Sequence, residues 1–167
     1  LEGDKIFHAF RFPDIQFSGS YIRRGRGPNE ETFVNPYIRK LERNVFMYQN
    51  PISIKIAKFE LDSNAISIVK NYNLPGELIN LQSPFILNNK IIGWNPYGKS
   101  KKEFLSYNLN SSQINELGGN KLRLANRKAS TKNKFLFAKI VSVKPDNSLF
   151  AAVYDKFPVL RIYNNDG

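Results

Sequence analysis

The fold is decided by the stretch Tyr21-Ile22-Arg23-Arg24-Gly25-Arg26-Gly27-Pro28-Asn29-Glu30-Glu31. This stretch ends one apolar run and leads into the next, which begins at Phe33. Gly25, Gly27 and Pro28 interrupt any regular element, because glycine favours irregular backbone and proline removes an N–H donor. The sequence therefore predicts a sharp turn between two short strands at this point.

Short strands are predicted along the whole chain. The clearest lies at residues 52–56, where isoleucine alternates with Ser53 and Lys55. This alternation predicts a strand with the isoleucines on one face and the polar side chains on the other. Comparable apolar runs lie at residues 5–10, 15–22, 45–48, 65–72, 84–87, 90–94, 103–107, 134–143, 148–154 and 159–163. About ten short strands without an amphipathic helix predict an all-β fold.

The length of 167 residues fits a single domain, which we assign to residues 1–167. Asn88-Asn89 separates two apolar runs and predicts a two-residue hairpin turn. Residues 108–133 depart from the strand pattern, because they are polar and contain Gly118-Gly119 together with many Lys and Arg residues. We expect a long inter-strand excursion there, with a short helix as the alternative.

The net charge of +11 and the pI near 9.8 favour attraction to anionic partners. Lys and Arg are nevertheless spread along the chain, so a solvated basic surface is the simpler explanation. The absence of cysteine excludes disulfides, thiolate metal sites and Cys nucleophiles. No stretch approaches the roughly 18 apolar residues that a membrane-spanning helix needs.

Gly25 and Gly27 suggest comparison with a phosphate-binding loop. Such a loop needs a third glycine and the N-terminus of a following helix. Neither is present, because Pro28 follows directly and the next apolar segment predicts a strand. The favoured interpretation is a structural turn in which Glu30 accepts hydrogen bonds from backbone N–H groups.

Four residues are candidates for binding. Arg24 and Arg26 suit phosphate or nucleic acid, because guanidinium groups pair with phosphate and stack on bases. Ion pairs with nearby carboxylates are the structural alternative for both. Trp94 and Tyr97 suit ligand stacking, since aromatic side chains at loops commonly line binding sites. Core packing is the favoured alternative for Trp94, which ends an apolar run.

His8 is the only histidine and lies within an aromatic run. A zinc site would need further His or Cys ligands, or carboxylates from distant parts of the chain. A hydrogen-bonded structural histidine is therefore favoured, and no nucleophile motif accompanies it. The sequence predicts no catalytic residue, no metal site and no cofactor.

Two blocks of the sequence are similar to a known family. The first combines Phe12-Pro13-Asp14 with residues 24–30, which resemble the Gly-x-Gly-Pro-Gly/Asn-Glu-Phe signature at the end of the first blade in TolB-like six-bladed β-propellers. The second comprises residues 148–154 and 159–163, which resemble a later blade. The chain departs from the family by inserting Glu31-Thr32 before the signature's Phe. Elsewhere it matches only as a strand pattern.

The resemblance implies a β-propeller of four-stranded antiparallel blades, of which this chain would be a fragment covering about three to four. It also implies further blades and an upstream signal peptide, often a lipoprotein one. The protein would lie in the cell envelope, as a periplasmic protein or an outer-membrane lipoprotein, and any membrane attachment would use a lipid anchor outside this chain. The resemblance implies no defined catalytic activity.

We therefore expect a non-catalytic binding or scaffolding propeller that recognises a protein or glycan through loops at one face. A carbohydrate-active lyase or hydrolase on the same scaffold is the first alternative. A basic nucleic-acid-binding domain is the second, although nucleic acid is not the expected partner.

Overall fold

The structure, a computed structural model, describes residues 4–27, 29–121 and 138–164. Within these ranges the chain forms thirteen strands and one short 3-10 helix. The predicted all-β fold is confirmed, with somewhat more strands than the ten or so expected. The chain divides into two compact units, Leu1–Pro75 and Gly76–Gly167, which we call unit 1 and unit 2.

Unit 1 contains a hairpin and a four-stranded sheet. The hairpin comprises β1 (Lys5–Arg11) and β2 (Gln16–Arg23). The sheet comprises β3 (Arg39–Lys40), β4 (Val45–Gln49), β5 (Ser53–Glu60) and β6 (Ala65–Asn73), paired antiparallel in chain order. The ring of Phe7 lies 5.7 Å from that of Phe46 and 5.2 Å from that of Tyr48, so hairpin and sheet share a core.

Strand β5 confirms the strand predicted at residues 52–56 but not its two faces. Ile52 precedes the strand and is 62% exposed, whereas Ser53 is buried beside Ile54. Ser53 is accommodated because Asn50 Oδ1 accepts hydrogen bonds from its backbone N at 2.7 Å and from its Oγ at 2.9 Å. A buried hydroxyl with a partner does not carry the desolvation penalty that the polar–apolar pattern assumes.

Unit 2 contains the 3-10 helix and two sheets. The helix spans Gly76–Leu78. The first sheet comprises β7 (Gln82–Leu87), β8 (Lys90–Trp94), β9 (Lys102–Asn108) and β10 (Ile114–Asn120), each paired antiparallel with the next. The second comprises β11 (Lys139–Val143), β12 (Leu149–Tyr154) and β13 (Leu160–Asn164), also in chain order.

The turn between β7 and β8 is the one the sequence predicts. Asn88 and Asn89 have φ values of 47° and 59°. Two consecutive left-handed residues give the turn geometry that matches the twist of a hairpin. The run predicted at residues 134–143 is confirmed over Lys139–Val143, and residues 134–137 lie outside the described part.

The core of unit 2 lies between its two sheets and is built largely from aromatic rings. Phe150 is central, with ring centroids 4.9 Å from Phe85, 5.3 Å from Phe104 and 4.8 Å from Tyr163. All four side chains are buried. Burying one such side chain contributes on the order of 1.5–3 kcal/mol to folding, so these four rings contribute substantially to the stability of unit 2.

The long excursion expected at residues 108–133 is wrong in its first half. Strand β10 lies there and pairs with β9, with Leu117 opposite Phe104. The pairing shifts register after Leu117, because Gly118 adopts φ +84°. A glycine in this conformation typically marks a β-bulge, and here it interrupts the alternation by which a strand is recognised. Residues 122–133 lie outside the described part.

Among the described residues, no helix has the length and apolar character required to cross a membrane.

Candidate binding site

The candidate site lies in unit 2, at the loop that joins β8 to β9. Asn95 starts this loop and is almost buried, at 6% exposure. Its Oδ1 accepts a hydrogen bond from the backbone N of Tyr97 at 2.9 Å, and its Nδ2 donates to the carbonyl of Glu77 at 3.1 Å. This Asx turn fixes the backbone at Tyr97. The tyrosine side chain remains 48% exposed.

A groove of about 720 Å³ runs beside this loop. Tyr97 and Lys99 line it from the loop, and Asn115 and Glu116 line it from β10. The groove also includes Asn80, which follows the 3-10 helix. The site therefore offers one exposed aromatic face surrounded by amide, carboxylate and ammonium groups. Such a combination can stack on a flat apolar surface and hydrogen-bond the polar groups around it.

Lys121 stabilises the β8–β9 loop through its ammonium group. Its Nζ donates to the carbonyl of Asn95 at 3.3 Å and to that of Gly98 at 3.4 Å. Burial lowers the pKa of Lys121, and the charge of Glu116 opposes that shift. Glu116 itself accepts a hydrogen bond from the backbone N of Lys101 at 3.2 Å. These contacts hold the β8–β9 loop against the sheet β7–β10. The backbone beside the groove is therefore fixed without a ligand.

Trp94 does not line this groove, although it lies only three positions before Tyr97. Its side chain is 4% exposed and belongs to the core of unit 2. The Nζ atom of Lys139 lies 5.0 Å from the centroid of the Trp94 ring and 4.7 Å from that of Tyr154. The structure thus favours the packing interpretation of Trp94, with a cation–π contact added.

Buried charges surround Lys139. Glu103 is fully buried, and its Oε2 accepts hydrogen bonds from the Tyr163 hydroxyl and from Arg161 at 2.9 Å. Burial lowers the pKa of Lys139 to about 8, while the charge of Glu103 acts in the opposite direction. Burial and the Glu103 hydrogen bond raise the pKa of Tyr163. The buried Glu103 carboxylate is therefore compensated by the positive charges of Arg161 and Lys139 and by the hydrogen bond from the Tyr163 hydroxyl.

Three buried polar atoms of this cluster have no hydrogen-bond partner within the described ranges: Trp94 Nε1, Glu103 Oε1 and Tyr154 OH. The titratable side chains of Glu103, Lys139 and Arg161 thus lie close together in unit 2. An enzymatic function would require such a cluster. Glu103 is nevertheless 0% exposed and Lys139 only 6% exposed. Both groups are therefore shielded from solvent in this structure.

The turn at residues 24–31 lies in unit 1 and is closed by its own side chains. Glu30 Oε2 accepts a hydrogen bond from the backbone N of Gly27 at 2.8 Å, as predicted. A Cβ on Gly25 would overlap the same oxygen. The place where the turn would hold a phosphate oxygen is therefore filled by the Glu30 carboxylate. This contact removes the main structural argument for phosphate binding.

Arg24 and Arg26 are both exposed on this turn. Neither forms an ion pair with any residue that the structure describes. The backbone N of Arg24 donates to the carbonyl of Asp4 at 2.6 Å, and Arg24 forms an isolated bridge with Glu31. The candidate arginines thus lie in unit 1, and Trp94 and Tyr97 in unit 2.

Sequence reasoning missed the role of Glu31. This carboxylate is 4% exposed and accepts hydrogen bonds from Tyr48 OH at 3.0 Å, Asn50 Nδ2 at 2.9 Å and Lys55 Nζ at 2.5 Å. Burial and the neighbouring Glu31 charge raise the pKa of Tyr48. The insertion that departs from the propeller signature therefore anchors the turn to β4 and β5. No local pattern signals this role, because all three partners are distant in sequence.

His8 is hydrogen-bonded, as expected of a structural histidine, with Nδ1 2.9 Å from Ser20 Oγ. In the part of the chain that the structure describes, no group of three or more His, Cys, Asp or Glu side chains is placed to hold a metal ion.

The fold resembles that of a solved protein. A crystal structure of a member of the DUF4221 family from Bacteroides vulgatus aligns with a TM-score of 0.54 at 12% sequence identity. The alignment covers 96% of this chain and 51% of that protein, so the chain spans about half the length of its structural relative. At this identity the likeness concerns the fold alone. No family model and no curated protein matches the sequence.

Proposed function

We propose that the chain is part of a six-bladed β-propeller that serves as a non-catalytic binding or scaffolding module in the bacterial cell envelope. The order of the strands supports the propeller. β3–β6 and β7–β10 are each a four-stranded antiparallel meander formed by consecutive segments. A propeller blade has this construction. β11–β13 repeat it over three strands.

A repeated turn supports the same architecture. Asn50-Pro51 follows the second strand of the first meander, and Asn95-Pro96 follows the second strand of the next. In both, the Asn Oδ1 accepts the backbone N–H two residues later, from Ile52 at 3.0 Å and from Tyr97 at 2.9 Å. The spacing of the two turns lies within the ~40–45 residues of one blade.

The sheet β11–β13 carries apolar side chains on both faces, as expected of a blade that packs against other sheets on either side. One face carries core residues such as Phe150. The opposite face brings together Ile140, Val153 and Leu160 in one cross-strand row, with Ile162 beside it. These four side chains are exposed by 67%, 45%, 60% and 66%. A sheet that is apolar on both faces fits a position between two other sheets.

The envelope placement rests on the family resemblance at residues 12–14, 24–30, 148–154 and 159–163. Its test is the full reading frame and the location of its product. We expect a signal peptide, with a lipidated cysteine in the lipoprotein form, and recovery of the protein in the envelope fraction. A full reading frame without any export signal, and a product in the cytosolic fraction, would refute the placement.

The exposed side chain of Tyr97 in its preformed groove is the observation that carries the proposed binding function. A tyrosine side chain has few rotatable bonds, so it can present its apolar ring face to a ligand with little loss of conformational entropy. Asn80, Asn115 and Glu116 supply the hydrogen-bonding groups around it. This chemistry suits the alternating C–H faces and hydroxyls of a glycan, or an aromatic side chain of a protein partner.

Tyr97→Ala tests the binding function. The full-length protein and the variant would be screened against arrays of neutral and acidic oligosaccharides and against envelope protein extracts. We expect affinity for the identified ligand to fall about 10-fold, the effect of losing ~1.4 kcal/mol. Tyr37→Ala is the matched control, because Tyr37 also follows an Asn-Pro pair and its N–H also donates to the Asn Oδ1, at 3.3 Å. Equal losses in both variants, or no ligand at all, would contradict the proposal.

The buried state of Glu103 argues against the lyase or hydrolase alternative, since a glycosidase needs carboxyl groups that reach the substrate. The Glu30 contact in turn 24–31 argues only against phosphate binding by the backbone of this turn. Binding to RNA or DNA with a steep salt dependence, lost in Arg24→Ala/Arg26→Ala, would support the nucleic-acid alternative.

A further inference from the structure

A second groove lies in unit 1 and belongs to none of the features above. Its volume is about 490 Å³. Residues of the β1–β2 hairpin form one part of the lining, and residues of β3, β4 and β5 with their connecting turns form the other. Phe46 and Phe59, both half-buried, are among its apolar lining residues.

The groove is strongly basic. Arg11, Lys40 and Arg43 line it, and all three are exposed. None of its lining residues is a carboxylate. Within the described ranges, none of these three cations forms an ion pair. Three cations along one concavity whose lining contains no carboxylate raise the local concentration of anionic ligands.

The same groove exposes large apolar side chains. Phe10 is 51% exposed and Leu61 is 61% exposed. Phe10 is held by an edge-to-face contact with Phe17, at a centroid distance of 5.7 Å. Tyr21 OH donates to Asn64 Oδ1 at 2.6 Å, so the hairpin is tied to the β5–β6 turn that carries Leu61. The exposed apolar groups therefore sit on a connected framework.

We propose that this groove binds an acidic peptide segment of a partner protein, in which carboxylates alternate with apolar side chains. The carboxylates would pair with Arg11, Lys40 and Arg43, since Arg and Lys are complementary to carboxylates in charge and hydrogen bonding. The apolar side chains would cover Phe10 and Leu61. The three cations and the exposed apolar side chains together favour an acidic peptide that also carries apolar residues.

Other anionic partners fit the groove less well. A bilayer surface is flat and does not reach cations that line a concavity. Nucleic acid is usually bound along an extended basic stripe, whereas the three cations here lie in one groove and the aliphatic Leu61 is exposed beside Phe10. The proposal is independent of the Tyr97 groove, which lies in unit 2.

The test uses the full chain and a fluorescein-labelled nine-residue peptide of alternating Glu and Leu or Phe, followed by fluorescence anisotropy. We expect saturable binding that weakens at least about 30-fold in Arg11→Glu/Lys40→Glu/Arg43→Glu, because reversed charges repel the ligand as well as lose its contacts. The matched control, Lys70→Glu/Lys101→Glu/Lys156→Glu, makes the same change in net charge at exposed positions outside the groove. It should weaken binding less than about 3-fold.

A second variant separates the apolar contribution. Leu61→Ser should weaken the same peptide about 5-fold and leave a peptide of alternating Glu and Ser unaffected. Circular dichroism of each variant establishes that it is folded. Equal weakening by the two triple variants would overturn the proposal, as would equally tight binding of a peptide with Gln in place of Glu. Binding of anionic vesicles or of single-stranded RNA in this groove, without binding of the peptide, would also overturn it.

Discussion

The carboxylate of Glu30 accepts a hydrogen bond from the backbone N–H of Gly27 at 2.8 Å. The same oxygen occupies the space that a side chain on Gly25 would need. The glycines of turn 24–31 therefore make room for an internal carboxylate, and the conformation of the turn depends on a contact within the chain.

The first prediction concerns the coupling between Gly25 and Glu30. Gly25→Ala should destabilise the protein by about 1 kcal/mol, because the new Cβ displaces the Glu30 carboxylate and breaks its hydrogen bond to Gly27. The same change in a Glu30→Ala background should have almost no effect, giving a coupling energy of about 1 kcal/mol in a double-mutant cycle. Urea denaturation measures the four stabilities.

Gly76→Ala provides the control for this cycle, because a Cβ there would meet no atom within 4 Å. It should be neutral or slightly stabilising. Additive effects of Gly25→Ala and Glu30→Ala would show that the two residues do not share the space assigned to them.

The second prediction concerns the pH dependence of stability around Lys139. Burial lowers the pKa of this side chain from 10.5 to about 8, with the Glu103 charge acting against the shift. Between these two values the unfolded chain binds more protons than the folded one, so the free energy of unfolding rises with pH. The expected gain is about 2 kcal/mol between pH 7 and pH 10. Chemical denaturation at each pH measures it.

Lys139→Met should remove most of this rise and leave the part due to Lys121, whose pKa burial also lowers, whereas Lys70→Met, at an exposed position on β6, should leave the whole rise in place. The measurements should stop near pH 10. Burial raises the pKa of both Tyr48 and Tyr163, so unfolding becomes more favourable once unfolded tyrosines ionise. The same slope in wild type and Lys139→Met would show that Lys139 is not the titrating group.

The third prediction concerns the bulge in β10. Gly118→Ala should destabilise the protein by about 3 kcal/mol, because φ +84° strains any other residue and the Cβ would lie 2.9 Å from Cε1 of Tyr163. Gly76→Ala is the control, because a Cβ there would meet no atom within 4 Å. Thermal unfolding should separate the two variants, and an effect at Gly118 no larger than that at Gly76 would contradict the bulge.

Local signals predicted most of the strands. The Asn88-Asn89 hairpin turn and the β5 strand both follow from patterns confined to a few neighbouring residues. Strand β10 was missed because Gly118 breaks its alternation, and the space for Gly118 is set by Tyr163, far along the chain. A single sequence does not show which distant ring approaches a glycine.

The candidate site was only partly predictable for the same reason. Tyr97 could be proposed from its position in a polar loop, and it is exposed there. The burial of Trp94 depends on β11 and β12, which bring Lys139 and Tyr154 against its ring. The anchoring of Glu31 likewise depends on partners from other strands. Contacts between residues that are far apart in the sequence produce no periodic pattern from which they could be predicted.

The last prediction links the Asx turn at Asn95 to the groove around Tyr97. Asn95→Ala removes the acceptor for the Tyr97 N–H and the donor to the Glu77 carbonyl, and it leaves both groups without these partners. It should destabilise the protein by about 1–2 kcal/mol. Asn95→Ala should also weaken binding of the Tyr97 ligand. Without the Asx turn the β8–β9 loop is less ordered, and ordering it on binding costs conformational entropy.

Asn95→Asp separates these two effects. The carboxylate still accepts the Tyr97 N–H but no longer donates to Glu77, so stability should fall while the turn at Tyr97 is retained. Ligand affinity should then stay closer to wild type than in Asn95→Ala. Isothermal titration calorimetry and thermal unfolding of both variants give the comparison. Equal affinities for the two variants would show that the turn does not position Tyr97.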